Sequence, residues 1–226
     1  MKSTITEGAL LEVLKQTIKG LAKQKSKPFR IAINGIEGTG KTVLAKNLTQ
    51  FLVQAGLNAI HVSIDGFHFN KEHRYRQGRN SAKGYYEDSY DEQGFIDKVL
   101  LASQKTPSTI ALATHDLETD YYLDIEAVGI ANDTILITDG AYLLKKIYQP
   151  HWDLKIYLKT DFETALRRGA ARDAKQFGSV EAAIAKFKLR YHQASQMYIH
   201  DCQPEQVADI IIDNTNFNQL KVLKMP

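Results

Sequence analysis

The sequence predicts an α/β fold in which a mainly parallel sheet is covered by helices on both faces. Three observations lead there. Segments of helical periodicity alternate with short β-like segments along the chain. The β-like segments are apolar through their whole length, as strands buried on both faces are. No repeat, low-complexity tract or Pro/Gly/Ser linker divides the 226 residues, so a single domain spanning 1–226 is expected.

In chain order, Leu10, Leu11, Leu14, Ile18 and Leu21 recur at helical spacing, and residues 4–24 read as an amphipathic helix within an N-terminal extension, 1–27. Pro28 opens an apolar strand, 29–34. After a glycine-rich turn, Val43, Leu44, Leu48, Phe51, Leu52 and Ala55 mark a helix closed by Gly56. Residues 59–64 are β-like and end on Asp65. Residues 66–90 are polar and aromatic with no steady period, and a stretch of that length in a compact domain is more often a binding segment than a plain connection. A helix at 91–104, a strand at 109–114, an apolar strand at 134–138 leading into Asp139 and Gly140, and a strand at 154–158 come next. Thr160 with Glu163 forms a capping-box pattern that starts a helix at 161–172. A long helix at 180–198 precedes a final strand, 208–212.

Composition excludes several classes. Lys and Arg number 29 against 26 Asp and Glu, and a net charge of +3 is too small for a general nucleic-acid binder. Cys202 is the only cysteine, which rules out an intramolecular disulfide and a cysteine-based zinc site. The first residues lack the apolar run of a signal peptide, and no apolar stretch approaches ~20 residues. A soluble, cytoplasmic protein with neither membrane nor nucleic-acid partner is expected.

Gly35, Ile36, Glu37, Gly38, Thr39, Gly40, Lys41 and Thr42 match G-x-x-x-x-G-K-[ST] at every fixed position, between a strand and a helix. Glycines there let the backbone N–H groups converge on phosphate oxygens at the positive end of the helix. Lys41 would reach the β- and γ-phosphates, and the Thr42 hydroxyl would sit on Mg²⁺. Asp139, ending an apolar strand, stands where a second acid for the metal belongs; it also suits a cap on the turn at Gly140. The glycine spacing excludes a dinucleotide fingerprint, though a turn without ligand has the same pattern.

GTPases, mechanical ATPases and kinases share this loop. No Asn-Lys-x-Asp string comes after a late strand, and Gly140 occupies the place of the second acid that a mechanical ATPase uses on water. A kinase needs an acid to accept a hydroxyl proton and arginines around the transferring group. Asp65 supplies the acid at the strand edge where open α/β sheets bind ligands, or else caps the turn before Gly66. Arg168 and Arg172, with Arg167 beside them, are spaced i,i+4 on one helix face, where like charges repel unless an anion lies between them or solvent screens them.

With these pieces placed, the chain resembles the uridine kinase/phosphoribulokinase/bacterial pantothenate kinase superfamily, and within it the uridine kinase-like proteins. The resemblance covers most of residues 29–216. It rests on Gly35–Thr42, Ile64-Asp65-Gly66-Phe67-His68, Arg74–Asp91, Ile137-Thr138-Asp139-Gly140, Arg167–Asp173 and the string Ala208-Asp209-Ile210-Ile211-Ile212-Asp213-Asn214. It implies a three-layer P-loop fold with a five-stranded parallel core and ATP with Mg²⁺ as donor. It implies Asp65 as catalytic base and Lys41, Arg168 and Arg172 around the γ-phosphate, with a helical lid and following helix at about 160–200. Asn214, Thr215 and Asn216 would lie near the adenine. Dimers and tetramers are common among similar kinases, which allows a homo-oligomer here.

The acceptor is then a small molecule, a uridine- or cytidine-like nucleoside by the resemblance. Tyr85, however, stands where uridine kinases place the Asp that holds the ribose, upstream of Asp88-Ser89-Tyr90-Asp91. Residues 71–86 offer Lys71, Arg74, Arg76, Arg79 and Lys83 against Glu72, with Tyr75, Tyr85 and Tyr86 interleaved. Tyrosines stack on bases and sugars, and the cations suit a carboxylate or phosphate on an anionic acceptor, or plain solvent. His68 and His115 are further candidates for the same pocket. A regulatory protein that only senses ATP is the rival from another class.

Overall fold

The computed structural model describes residues 4–226; residues 1–3 of the expected N-terminal extension lie outside them. The order is β1 (Thr4–Ile5), α1 (Glu7–Ala22), β2 (Phe29–Asn34), α2 (Lys41–Gln54), β3 (Ala59–Ser63), α3 (Lys71–Arg74), α4 (Ala82–Asp88) and α5 (Glu92–Phe95). The last runs on through a π-helical turn, Ile96–Leu101, and a 3₁₀ turn, Ala102–Gln104. Then come β4 (Ser108–Ile110), β5 (Val128–Ile130), β6 (Ile135–Gly140), β7 (Leu154–Lys159), α6 (Phe162–Phe177), α7 (Val180–Lys186), a π-helical turn at Phe187–Tyr191, α8 (His192–Cys202), α9 (Pro204–Val207), β8 (Ile210–Asp213) and β9 (Leu220–Lys224).

Seven strands form one sheet in the order β1-β9-β8-β7-β2-β6-β3. The five from β8 to β3 are parallel, as expected, and β9 and β1 add antiparallel at the β8 edge. β4 and β5 pair separately as a small antiparallel ribbon.

Successive residues of a strand face opposite sides, and the apolar strands use both. Ile31, Ile33, Ile135, Ile137, Ile156, Leu158, Ile210 and Ile212 pack with Leu10, Leu14 and Ile18 of α1 and Leu44, Leu48 and Leu52 of α2. Ala32, Leu136, Tyr157 and Ile211 face the other side, against Phe95 and Val99 of the helical run after Asp91 and Tyr198 of α8. The three layers are a direct result of strands that carry apolar residues on both faces.

Several boundaries differ from the sequence expectation. The helix expected from residue 4 begins after Thr6, whose hydroxyl accepts from the Ala9 amide, and this frees Thr4 and Ile5 to pair with β9. The strand expected to be final is followed by β9, a short strand between β8 and β1 whose lysines interrupt its apolar residues. Of the strand expected at 109–114, only its start is extended in a ladder. Thr160 does not cap α6: its hydroxyl donates to its neighbour, the Lys159 carbonyl, while the Asp161 carboxylate accepts from the Thr164 amide at 2.7 Å. Among the described residues no helix is long and apolar enough to cross a membrane.

α1 is part of the core, since Leu14 and Ile18 are fully buried against the central strands. Leu14→Ala should therefore cost about 2–5 kcal/mol of unfolding free energy in urea titrations, against well under 1 for a detached extension.

Candidate active site

The glycine loop occupies the C-terminal edge of the sheet, between β2 and α2. At Gly38, with φ of +86°, a side chain would be strained, and a β-carbon would run into the Ala165 carbonyl of α6. The loop is thus pressed against the helix that carries the candidate arginines. Thr39 donates to the Ile36 carbonyl at 3.0 Å, and Asn214 donates to the Thr39 carbonyl at 2.7 Å, so the turn after β8 braces the loop. Lys41 rests 3.3 Å from the Ile36 carbonyl. The first N–H groups of α2 have no intrahelical acceptors, which suits an anion.

Asp139 is fully buried at the end of β6. Its carboxylate accepts from Thr42 at 2.5 Å and lies 2.7 Å from Nε2 of His61 on β3. Burial alone would raise this carboxyl, but the hydrogen bonds from His61 and Thr42, with the charge of Lys41, hold it below the ordinary carboxylate range. A hydroxyl beside an ionised carboxylate under the phosphate loop fits a hard divalent cation.

Asp65 comes directly after β3. The Ser63 hydroxyl accepts its amide, and Tyr90 donates to its carboxylate at 3.1 Å. The side chain is exposed to a cavity of about 690 Å³, which it shares with Glu37, His68, Arg74, Tyr85 and Arg172. His68 is buried, which lowers its pKa despite the nearby Asp65 carboxylate, and Nδ1 donates to the Asp65 carbonyl at 2.8 Å. A neutral imidazole thus braces the backbone that presents the acid.

A second cavity, about 250 Å³, opens beside Gly40 and is walled by Val43, Leu158, Arg168, Asn214 and Phe217. It is mostly apolar, as a base-binding slot requires.

The structure separates the two arginines expected to act together. Arg168 donates to the Asn214 and Thr215 carbonyls at 2.7 and 2.9 Å and stacks on Phe217, 5.5 Å from the ring centre. It faces the apolar slot. One turn on, Arg172 faces the larger cavity and chelates Asp173 at 2.6 and 2.9 Å. Hydrogen bonding to Asp173 raises its pKa further above that of a free guanidinium.

The cations of 71–86 also divide. Arg74 pairs with Asp120 at 2.9 Å, and Lys83 is 3.9 Å from Glu87. Arg76 reaches from the surface to the buried Asp88 and does not line the cavity. Tyr86 also lies outside it: its hydroxyl contacts Cys202, and its ring packs edge-on against Tyr142, 5.2 Å between centres. His115 is fully buried behind the cavity wall, 3.4 Å from Asp120. Arg74 and Tyr86 find their partners in segments distant in sequence, which local pattern does not reveal.

Sequence pattern alone does not single out several other side chains of the site. The Glu37 carboxylate turns into the cavity and accepts from Tyr85 and Ser195, both at 3.0 Å. Tyr90 holds Asp65. Lys186 and Tyr191 bring the stretch after α6 over the same space. A glutamate inside a phosphate loop is the one signal of these that is visible in the sequence.

Against known proteins, the family model described as Phosphoribulokinase / Uridine kinase family matches residues 30–221. A uridine kinase of Leuconostoc citreum is 23% identical over 206 residues, covering 87% of this chain and 97% of its own. A uridine kinase of Staphylococcus aureus is 24% identical over 198 residues, covering 85% and 90%. Among solved structures, one described as a possible uridine kinase from Bacillus stearothermophilus superposes with a TM-score of 0.70 at 23% identity, over 89% of this chain and 96% of that one.

Because Arg168 holds the turn after β8 by two charged hydrogen bonds, Arg168→Ala should weaken ATP binding about tenfold or more in direct titrations. Arg76→Ala, which breaks an ion pair that lines neither cavity, should leave it within twofold of the parent.

Proposed function

The chain belongs to the phosphoribulokinase/uridine kinase family, and on that premise we propose that it transfers the γ-phosphoryl group of ATP to a hydroxyl of a small acceptor bound beside Asp65. The observation that carries this is the placement of Asp65. It is an exposed carboxylate, steadied by Tyr90, that opens onto a polar cavity next to the phosphate loop. A protein that only senses nucleotide needs no such group.

In the proposed reaction the acceptor oxygen attacks the γ-phosphorus and the bond to the bridging oxygen of ADP breaks. The acceptor's hydroxyl proton passes to Asp65. Lys41 and the loop amides would hold the β- and γ-phosphates. Thr42 and Asp139 would hold Mg²⁺, which when bound neutralises charge on the phosphate oxygens. Arg172 would stabilise the transferring group from α6, exchanging Asp173 for phosphate. Positioning and charge stabilisation supply most of the rate.

The names of the relatives suggest a nucleoside acceptor, whose sugar hydroxyls would meet Glu37 and Asp65. A second reading, an acceptor that is itself anionic, is favoured by Lys71, Arg74, Arg79, Arg172 and Lys186, which line the cavity against Glu37, Asp65 and Asp173.

Asp65→Asn tests the reaction. It should leave ATP affinity unchanged and lower turnover, read as ADP release in the presence of acceptor, by about 10²–10⁴. Turnover equal to the parent's would remove Asp65 from the mechanism.

A further inference from the structure

The cations on the acceptor cavity do not all have partners. Arg74 is neutralised by Asp120 and Arg172 by Asp173, while Glu37 is satisfied by the hydroxyls of Tyr85 and Ser195. Besides Lys71, Arg79 and Lys186 remain on the wall, and Arg190 is packed against them. Lys186 and Arg190 both donate to one acceptor, the Arg79 carbonyl, each at 2.8 Å, and Lys186 also donates to Oδ1 of Asn80 at 3.0 Å. This brings the side chains of Lys186 and Arg190, a turn apart, onto the peptide whose own side chain is a third cation. Among the described residues no carboxylate pairs with Arg79, Lys186 or Arg190.

Arg79 is exposed and Lys186 half-buried, so water screens both in part, but it does not reach Arg190. Arg190 is only 3% exposed, held between the rings of Tyr75 and Tyr85 at 4.8 and 4.9 Å, and its Nε has no hydrogen-bond partner. Arg79 also lies over Tyr75, 5.9 Å from the ring centre. Partial burial and the charges of Arg190 and Arg79 push the Lys186 ammonium down to about 8. Like charges at i,i+4, one of them buried, are unfavourable unless an anion joins them. Arg79, Asn80, Tyr75, Tyr85 and Lys186 all line the cavity that holds Asp65.

We propose that Arg79, Lys186 and Arg190 form an oxyanion subsite of this cavity, so that the molecule phosphorylated carries a phosphate or carboxylate besides its reacting hydroxyl. Calling that molecule the acceptor rests on the kinase reading; the subsite itself does not. Arg79 and Asn80 belong to the segment between α3 and α4, so the cluster is built from the acceptor side of the cavity.

The test keeps the phosphate loop filled with AMP-PNP·Mg²⁺ and titrates inorganic phosphate, or acetate, into the full-length protein while monitoring backbone amide resonances. Saturable shifts at residues 79–80 and 186–190 are expected, and whichever of the two anions gives them identifies the oxyanion. In the double variant Arg79→Met/Lys186→Met the dissociation constant should rise at least tenfold, with an unchanged melting temperature. Lys188→Met, an exposed charge in the same helical stretch, should leave it as in the parent. Absence of saturable binding by either anion, or equal binding by the double variant, would overturn the subsite. So would loss of AMP-PNP affinity in that variant without any phosphate binding, which would assign the cluster to the nucleotide. Phosphate binding lost in the double variant, with no ADP release from any acceptor, would uphold the subsite and count against the kinase reading. ADP release with a neutral nucleoside, and no anion binding, would do the reverse.

Discussion

The carboxylate of Asp139 is the point on which the site depends. It is fully buried, and an ionised group there is tolerable only because Thr42 reaches it from α2 and His61 from β3. The same bonds tie the phosphate loop's helix to the two outermost parallel strands. Strand register then sets the position of the acid, because Ser63 of β3 lies opposite Asp139 of β6. Asp65 therefore emerges just beyond the edge at which Asp139 and Thr42 sit. The proposed metal-holding pair and the proposed proton acceptor owe their spacing to the sheet, and loop plasticity has little part in it.

α6 performs a comparable service across the loop. Its backbone at Ala165 closes on Gly38, and one turn later its side chains begin to divide the edge into two chambers. Arg168 goes to the apolar slot with Asn214 and Phe217, and Arg172 to the polar cavity with Asp65. A single rigid helix thus touches both partners of the proposed transfer. The chambers differ as their occupants would: an aromatic base needs apolar walls, whereas a hydroxylated acceptor needs donors and charge.

The fold was legible because strands with apolar residues on both faces belong in the interior of a parallel sheet. The placement of the phosphate loop, Asp65 and Asp139 at one edge of the sheet was legible because each lies at or just beyond the end of a strand. What local pattern did not reveal was long-range pairing. Arg76 looks available until Asp88 is found beside it, and His115 until it proves buried behind the wall. Arg168 and Arg172 share a face by periodicity, yet the turn after β8 captures only the first. Glu37 passes as one of the variable positions of its motif, although its side chain points into the acceptor cavity. The antiparallel pair β1 and β9 was missed because strands that short, outside the parallel core, leave almost no periodic signal.

These features converge on one claim, that the polar cavity holds a hydroxyl acceptor for the γ-phosphoryl group. The most direct measurement is mass spectrometry of ATP·Mg²⁺ reactions run over a panel of nucleosides, simple sugars, sugar phosphates and hydroxy acids, with ADP quantified alongside. The account predicts an acceptor that gains one phosphoryl group for each ADP formed, with anionic members preferred to their neutral counterparts. ATP that binds tightly but is either left intact or passed only to water, whatever the acceptor, would contradict it.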